Sequence, residues 1–87
     1  LRILAEKVLE ETTPQAVVLN DITHDRIILL EGVSMEIWEI CKMQRDIDIK
    51  NISNILSKNY PKVPVKTIQS DILDFINNLR GVGLIEE

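Results

Sequence analysis

Apolar residues recur at two different periods along this chain, and the change of period divides it in two. Ahead of Gly32 they come in short, β-branched runs. Ala16-Val17-Val18-Leu19 and Arg26-Ile27-Ile28-Leu29-Leu30 each predict a strand, and Asn20 to Asp25 between them supplies turn formers, so the pair predicts a hairpin. Residues 2–10 mix Ile3, Leu4, Val8 and Leu9 with charges and predict a weak first strand or a helical turn, closed off by Thr12-Thr13-Pro14-Gln15. Within the second hairpin strand, alternation sends Ile28 and Leu30 to one face and Ile27 and Leu29 to the other.

From Ser34 onward the spacing is helical. Ile37, Trp38 and Cys41 recur three to four apart, with Ser34 as the expected N-cap. Asp48 is placed to cap a second helix, with Ile47 and Ile52 at the positions of a hydrophobic staple. Its buried stripe continues through Ile55 and Leu56 up to Tyr60. Pro61 and Pro64 bracket a connector. A third helix is expected over 65–80, with Ile68, Ile72, Phe75, Ile76 and Leu79 on its apolar face and Lys66, Ser70, Asp74 and Asn77 opposite. Gly81 and Gly83 are expected to stop it. The fold class that follows is α+β, an N-terminal three-stranded antiparallel sheet followed by three helices in winged helix-turn-helix-like order.

Composition narrows this further. The chain has 87 residues, which makes one domain over 1–87, and only one Trp, one Tyr and one Phe, so its core is aliphatic. The net charge of −4 provides no field to draw in phosphate backbones, which argues against nucleic acid. A winged-helix DNA-binding regulator stays as an alternative, because Gln69, Asn77 and Asn78 are base-reading residue types. Lys66 and Arg80 are, however, cancelled by Asp71 and Asp74. The lone Cys41 excludes an internal disulfide and fits a reducing, cytoplasmic setting. No apolar run approaches membrane-spanning length, so no membrane partner is expected.

Catalytic chemistry finds little to work with. His24 is the single histidine, in a turn, and Cys41 falls on an apolar helix face. No Cys/His set has metal-ligand spacing, and Gly81-Val82-Gly83 follows a helix rather than a strand. Neither an enzyme, a metal site nor a cofactor is expected. What stands out is strand 26–30: apolar, guarded only by Arg26 and Glu31, and the last strand of its sheet. Such an edge suits an added peptide strand, a strand from the same chain, or an edge-strand dimer.

The stretch Val17-Val18-Leu19-Asn20-Asp21, a turn, Arg26-Ile27-Ile28-Leu29-Leu30, then Val33 and Ile37-Trp38-Glu39-Ile40 resembles the PqqD-like family. The likeness runs on through Ile52, Leu56 and Tyr60 to Asp71-Ile72, Phe75, Leu79 and Gly83-Leu84-Ile85, covering roughly residues 15–85. His24-Asp25 stands where a glycine is common, Glu31-Gly32 replaces an Asn-led helix start, and Ile27-Ile28 replaces an aromatic. The resemblance implies a RiPP recognition element, a module that binds the leader of a ribosomally made precursor peptide and presents it to a maturation enzyme such as a leader peptidase. It implies backbone contacts from Arg26, Ile27, Ile28, Leu29 and Leu30, and a groove wall from Ile68, Asp71, Ile72 and Phe75. The stand-alone size points to a discrete protein of the lasso-peptide or PQQ type, monomeric or an edge-strand dimer.

Overall fold

The computed structural model describes all 87 residues. Its elements are β1 (Arg2–Ile3), a 3-10 turn (Ala5–Lys7), β2 (Leu9–Thr12), β3 (Ala16–Asp21), β4 (Arg26–Glu31), α1 (Val33–Lys42), α2 (Ile49–Asn59), α3 (Val65–Gly81) and β5 (Ile85–Glu86). β2, β3 and β4 form an antiparallel sheet in that order, so β4 is an edge. β1 and β5 pair separately, with Arg2 opposite Glu86 and Ile3 opposite Ile85.

The N-terminal expectation is therefore corrected. Residues 2–10 are not one strand: the sheet's third strand is Leu9–Thr12, preceded by a helical turn and by a strand that pairs with the other end of the chain. The hairpin is where the β-branched runs place it, but it is longer. Asn20 and Asp21 continue β3, and the turn shrinks to Ile22–Asp25, closed by the Asp25 N–H donating to the Ile22 carbonyl at 3.3 Å. Asp25 takes the left-handed conformation (φ 49°), which aspartate tolerates better than most residues and which accounts for the glycine expected near there.

Both helix ends at issue are set by backbone rather than by the residues first chosen. α1 begins at Val33, one residue before Ser34, and its N-cap is Gly32, at φ 59° and ψ −131°, a region open essentially to glycine alone. Ser34 makes no cap. α2 is capped as expected, the Asp48 carboxylate accepting from the Asn51 N–H at 3.1 Å, with Ile47 and Ile52 both buried. α3 runs through Gly81 and stops at Gly83, whose φ of 80° lets the Gly83 and Leu84 N–H groups reach the Arg80 and Leu79 carbonyls at 3.1 and 2.9 Å. That is the Schellman arrangement, and Leu79 and Leu84 complete it by meeting in the core.

One aliphatic cluster holds the elements together. Val17, Leu19 and Leu30 from the sheet meet Ile37, Trp38 and Cys41 of α1, Ile52 and Leu56 of α2, and Ile68, Ile72, Phe75, Ile76 and Leu79 of α3. β2 contributes nothing to it, as all four of its residues are exposed. No helix is long and apolar enough to cross a membrane.

Candidate functional site

The direction of each backbone group on β4 follows from the ladder. The Thr13 N–H donates to the Ala16 carbonyl at 2.9 Å, which turns Ala16 toward β2. Because the pattern alternates, Val18 and Asn20 also turn toward β2, and Val17, Leu19 and Asp21 toward β4. Their partners across the pair are Leu30, Ile28 and Arg26. Ile27, Leu29 and Glu31 are left with N–H and C=O groups aimed at the open edge.

α3 lies alongside that edge, antiparallel to β4. At one end Ile68 and Asp71 share a cleft of about 340 Å³ with Gly32, Val33, Tyr60 and Val63. At the other, the Arg26 guanidinium donates to the Val82 carbonyl at 2.5 Å. The two lengths agree: from Asp71 to Val82 a helix rises about 16 Å, and a six-residue strand spans about 17 Å. The stretch between these two ends, a free strand edge on one side and a helix on the other, is the candidate groove along β4.

Each residue implied by the resemblance has a definite place. Ile27 and Leu29 are 71% and 56% exposed on the sheet's outer face, whereas Ile28 and Leu30 turn inward. Ile68 and Asp71 line the cleft. Ile72 and Phe75 are buried at 0% and 4% exposure, so they back the groove from within the core and offer a ligand almost no surface. Arg26 points across to α3 rather than out into solvent.

Pattern reading missed Gly32, Val33, Tyr60 and Val63. The signal available was Tyr60 and Val63 around the Pro61–Pro64 connector, a lone tyrosine and a valine in an otherwise polar segment. Tyr60 is fixed by its hydroxyl, which donates to Glu36 Oε1 at 2.5 Å; this bond and partial desolvation raise the tyrosine's pKa. Glu36 Oε2 stays buried with no partner of its own.

Asp21 anchors the far end of the groove. Its carboxylate, 1% exposed, accepts from Arg26 Nη2 at 3.0 Å and from Arg26 Nε at 3.3 Å, and His24 Nδ1 lies 2.9 Å away. Burial opposes its ionisation, but the bonds from Arg26 and His24 outweigh burial and hold the carboxyl below its ordinary value of 3.8. A depressed carboxyl stabilises the fold above its unfolded pKa, and that contribution is lost as pH falls through the folded one. The denaturation midpoint is expected to fall as pH drops from about 6 to about 3, and Asp21→Asn to flatten the profile while lowering its upper plateau. A variant profile that stays parallel to the native one would place the acid sensitivity elsewhere.

The remaining chemistry is inert. Burial alone pushes the Cys41 thiol up to about 12, so it is a core thiol and not a nucleophile. No three side chains of the metal-ligating types converge.

Residues 15–85 match the family described as coenzyme PQQ synthesis protein D (PqqD). The chain belongs to the PqqD family. The match takes in the β3–β4 hairpin, all three helices and the start of β5, so in this PqqD-family chain both sides of the groove fall inside the shared region. Among solved structures, "TbiB1 in Complex with the TbiA(beta) Leader Peptide" superposes with a TM-score of 0.85 at 22% identity, over 99% of this chain and 95% of that one. At that identity the likeness establishes the PqqD-type fold, including β1 and β2, which lie outside the family match. No curated protein matches significantly.

Proposed function

We propose that this chain binds the leader segment of a ribosomally made precursor peptide and presents it to a maturation enzyme such as a leader peptidase, a cyclase or a radical enzyme. The observation that carries the reading is the open edge of β4: three outward N–H and C=O pairs facing a helix across a groove of matching length. An extended peptide added there gains main-chain hydrogen bonds, and its alternate side chains enter the groove, with the cleft at Ile68 and Asp71 as the natural pocket. TbiB1, whose fold this chain shares, is a leader-peptide complex by its own description, and membership of the PqqD family supports the same role.

The role is binding without catalysis. The one thiol is buried and protonated, and the one histidine sits in the hairpin turn beside Asp21, outside the cleft at Ile68 and Asp71. α3 is not a DNA reader on this view, since its apolar stripe is spent in the core and its exposed charges cancel. The cytosol, where Cys41 stays reduced, is the matching compartment.

Titrating the isotope-labelled chain with the leader of a neighbouring precursor gene tests this by amide shifts. Perturbations are expected along Arg26–Val33 and Ile68–Val82, with the Ile27, Leu29 and Glu31 amides gaining protection from exchange. Perturbations confined to β2 or to α2 would overturn the placement.

A further inference from the structure

One hydrogen bond joins the β3–β4 hairpin to the chain from α3 onward, the bond from Arg26 Nη2 to the Val82 carbonyl. Beyond it the two share the apolar cluster of the core. The bond falls where α3 ends. Val82 is the helix's C-cap, and the carbonyls of a last helical turn have no partner within the helix. A guanidinium placed there satisfies one of these acceptors and meets the negative end of the helix dipole.

An arginine reaching across unaided would be a loose tie, because its side chain is rich in rotamers. Arg26 is held from behind. Asp21, its cross-strand partner, is 1% exposed, and its carboxylate accepts from Nη2 at 3.0 Å and from Nε at 3.3 Å. Two bonds from one planar fork fix the direction of the guanidinium relative to the hairpin. The tie from β4 to the end of α3 is therefore stiff.

The main chain of Arg26 offers a peptide strand nothing, since its N–H and C=O turn toward β3, and the first outward pair belongs to its neighbour Ile27. A strand added there lies about 4.7–4.9 Å from β4 and has to fit between those outward groups and α3. At the cleft end the helix is seated by Ile68 and Ile72, 2% and 0% exposed. At the far end the stand-off between helix and strand is bridged by Arg26.

We propose that Arg26 is a positioning residue for leader binding: locked by Asp21, it holds the last turn of α3 at the distance from β4 that an added strand requires. The inference rests on the leader-binding reading above. Arg26 acts through its side chain and through α3, without touching the leader.

Two variants and a control test this with a synthetic leader from the neighbouring precursor gene. Arg26→Met removes the tie but leaves the Asp21 carboxylate buried with His24 alone. The pair Asp21→Leu with Arg26→Met removes both charges and keeps the site apolar, so it is the variant expected to stay near native stability. Both are expected to weaken leader binding about tenfold or more by calorimetry, the docking surface being no longer preorganised. Exchange of the Gly83 and Leu84 amides, which close the last turn of α3, is expected to speed up about fivefold or more. Ile52→Val, in the core on α2, is expected to lower the melting temperature yet keep leader affinity within about twofold. Native affinity in either folded variant overturns the positioning role while leaving leader binding standing. Weakened binding with unchanged exchange at Gly83 and Leu84 would mean that the guanidinium touches the leader directly, and overturns it as well. Unfolding of both variants would make the pair a requirement of the fold and not of the site. A native chain that binds no leader sinks the earlier reading, and this one with it.

Discussion

Replacing Leu29 by proline is expected to leave the hairpin folded and to weaken leader binding about 10- to 100-fold. The Leu29 amide is one of the three that point away from β3, so proline takes no hydrogen bond from the native ladder. Edge strands accept proline at such positions, and the extended conformation that proline imposes on Ile28 is the one Ile28 already has. What is lost is a donor to the incoming peptide, whose carbonyl is then buried unpaired at about 1–3 kcal/mol. Two companions make the result specific. Leu29→Ala keeps the amide and is expected to keep leader affinity, because that side chain faces the outer sheet surface. Ile28→Pro removes an amide that pairs with Leu19 and is expected to destabilise the domain itself. Calorimetry with circular dichroism on all three decides the matter: a folded Leu29→Pro chain with native affinity would rule out strand addition at β4.

The second large effect is structural. Trp38 is fully buried on α1, in the cluster where the sheet meets α2 and α3. Truncation to alanine removes the largest side chain in a core otherwise built almost wholly from aliphatics, and costs about 3–5 kcal/mol. Domains of this size are stable by only about 5–15 kcal/mol, and each kcal/mol shifts the melting temperature by about 4–8 °C. Trp38→Ala is therefore expected to melt at least about 12 °C below the native chain, by thermal circular dichroism. Leu73→Ala on α3, where the side chain is 48% exposed, is expected to shift it little. Comparable shifts in both would mean that the core is not centred on Trp38.

How far such features could be read from sequence depended on the range of the interactions behind them. The hairpin and the three helices are local, and their periods survive in the residue pattern: Ile28 and Leu30 inward, Ile68 through Leu79 on one stripe. The two-residue strands β1 and β5 leave no period at all. They exist because the chain's ends meet across more than eighty positions, a contact that Ile3 and Ile85 do not announce separately. Helix ends were misplaced at Ser34 and Gly81 because the stop and start are conformations of Gly32 and Gly83, and composition alone does not tell which of two nearby glycines or serines adopts them. For the site, alternation gave the orientation of β4 but could not say which part of the α3 stripe other elements cover. Ile72 and Phe75 were implied as groove wall by the family resemblance alone, while Tyr60 and Val63 reach the cleft from a connector that only tertiary packing brings there.

The pairing of β1 with β5 also bears on how such a module can be combined with others. Residues 2 and 86 lie side by side, clasped by the Arg2 guanidinium on the Glu86 carboxylate at 3.3 Å. A unit whose entry and exit adjoin can be spliced into a host protein's surface loop, or circularly permuted through a short linker, without prising its sheet or helices apart. The edge of β4 involves neither terminal strand, so a grafted copy would keep that edge unobstructed.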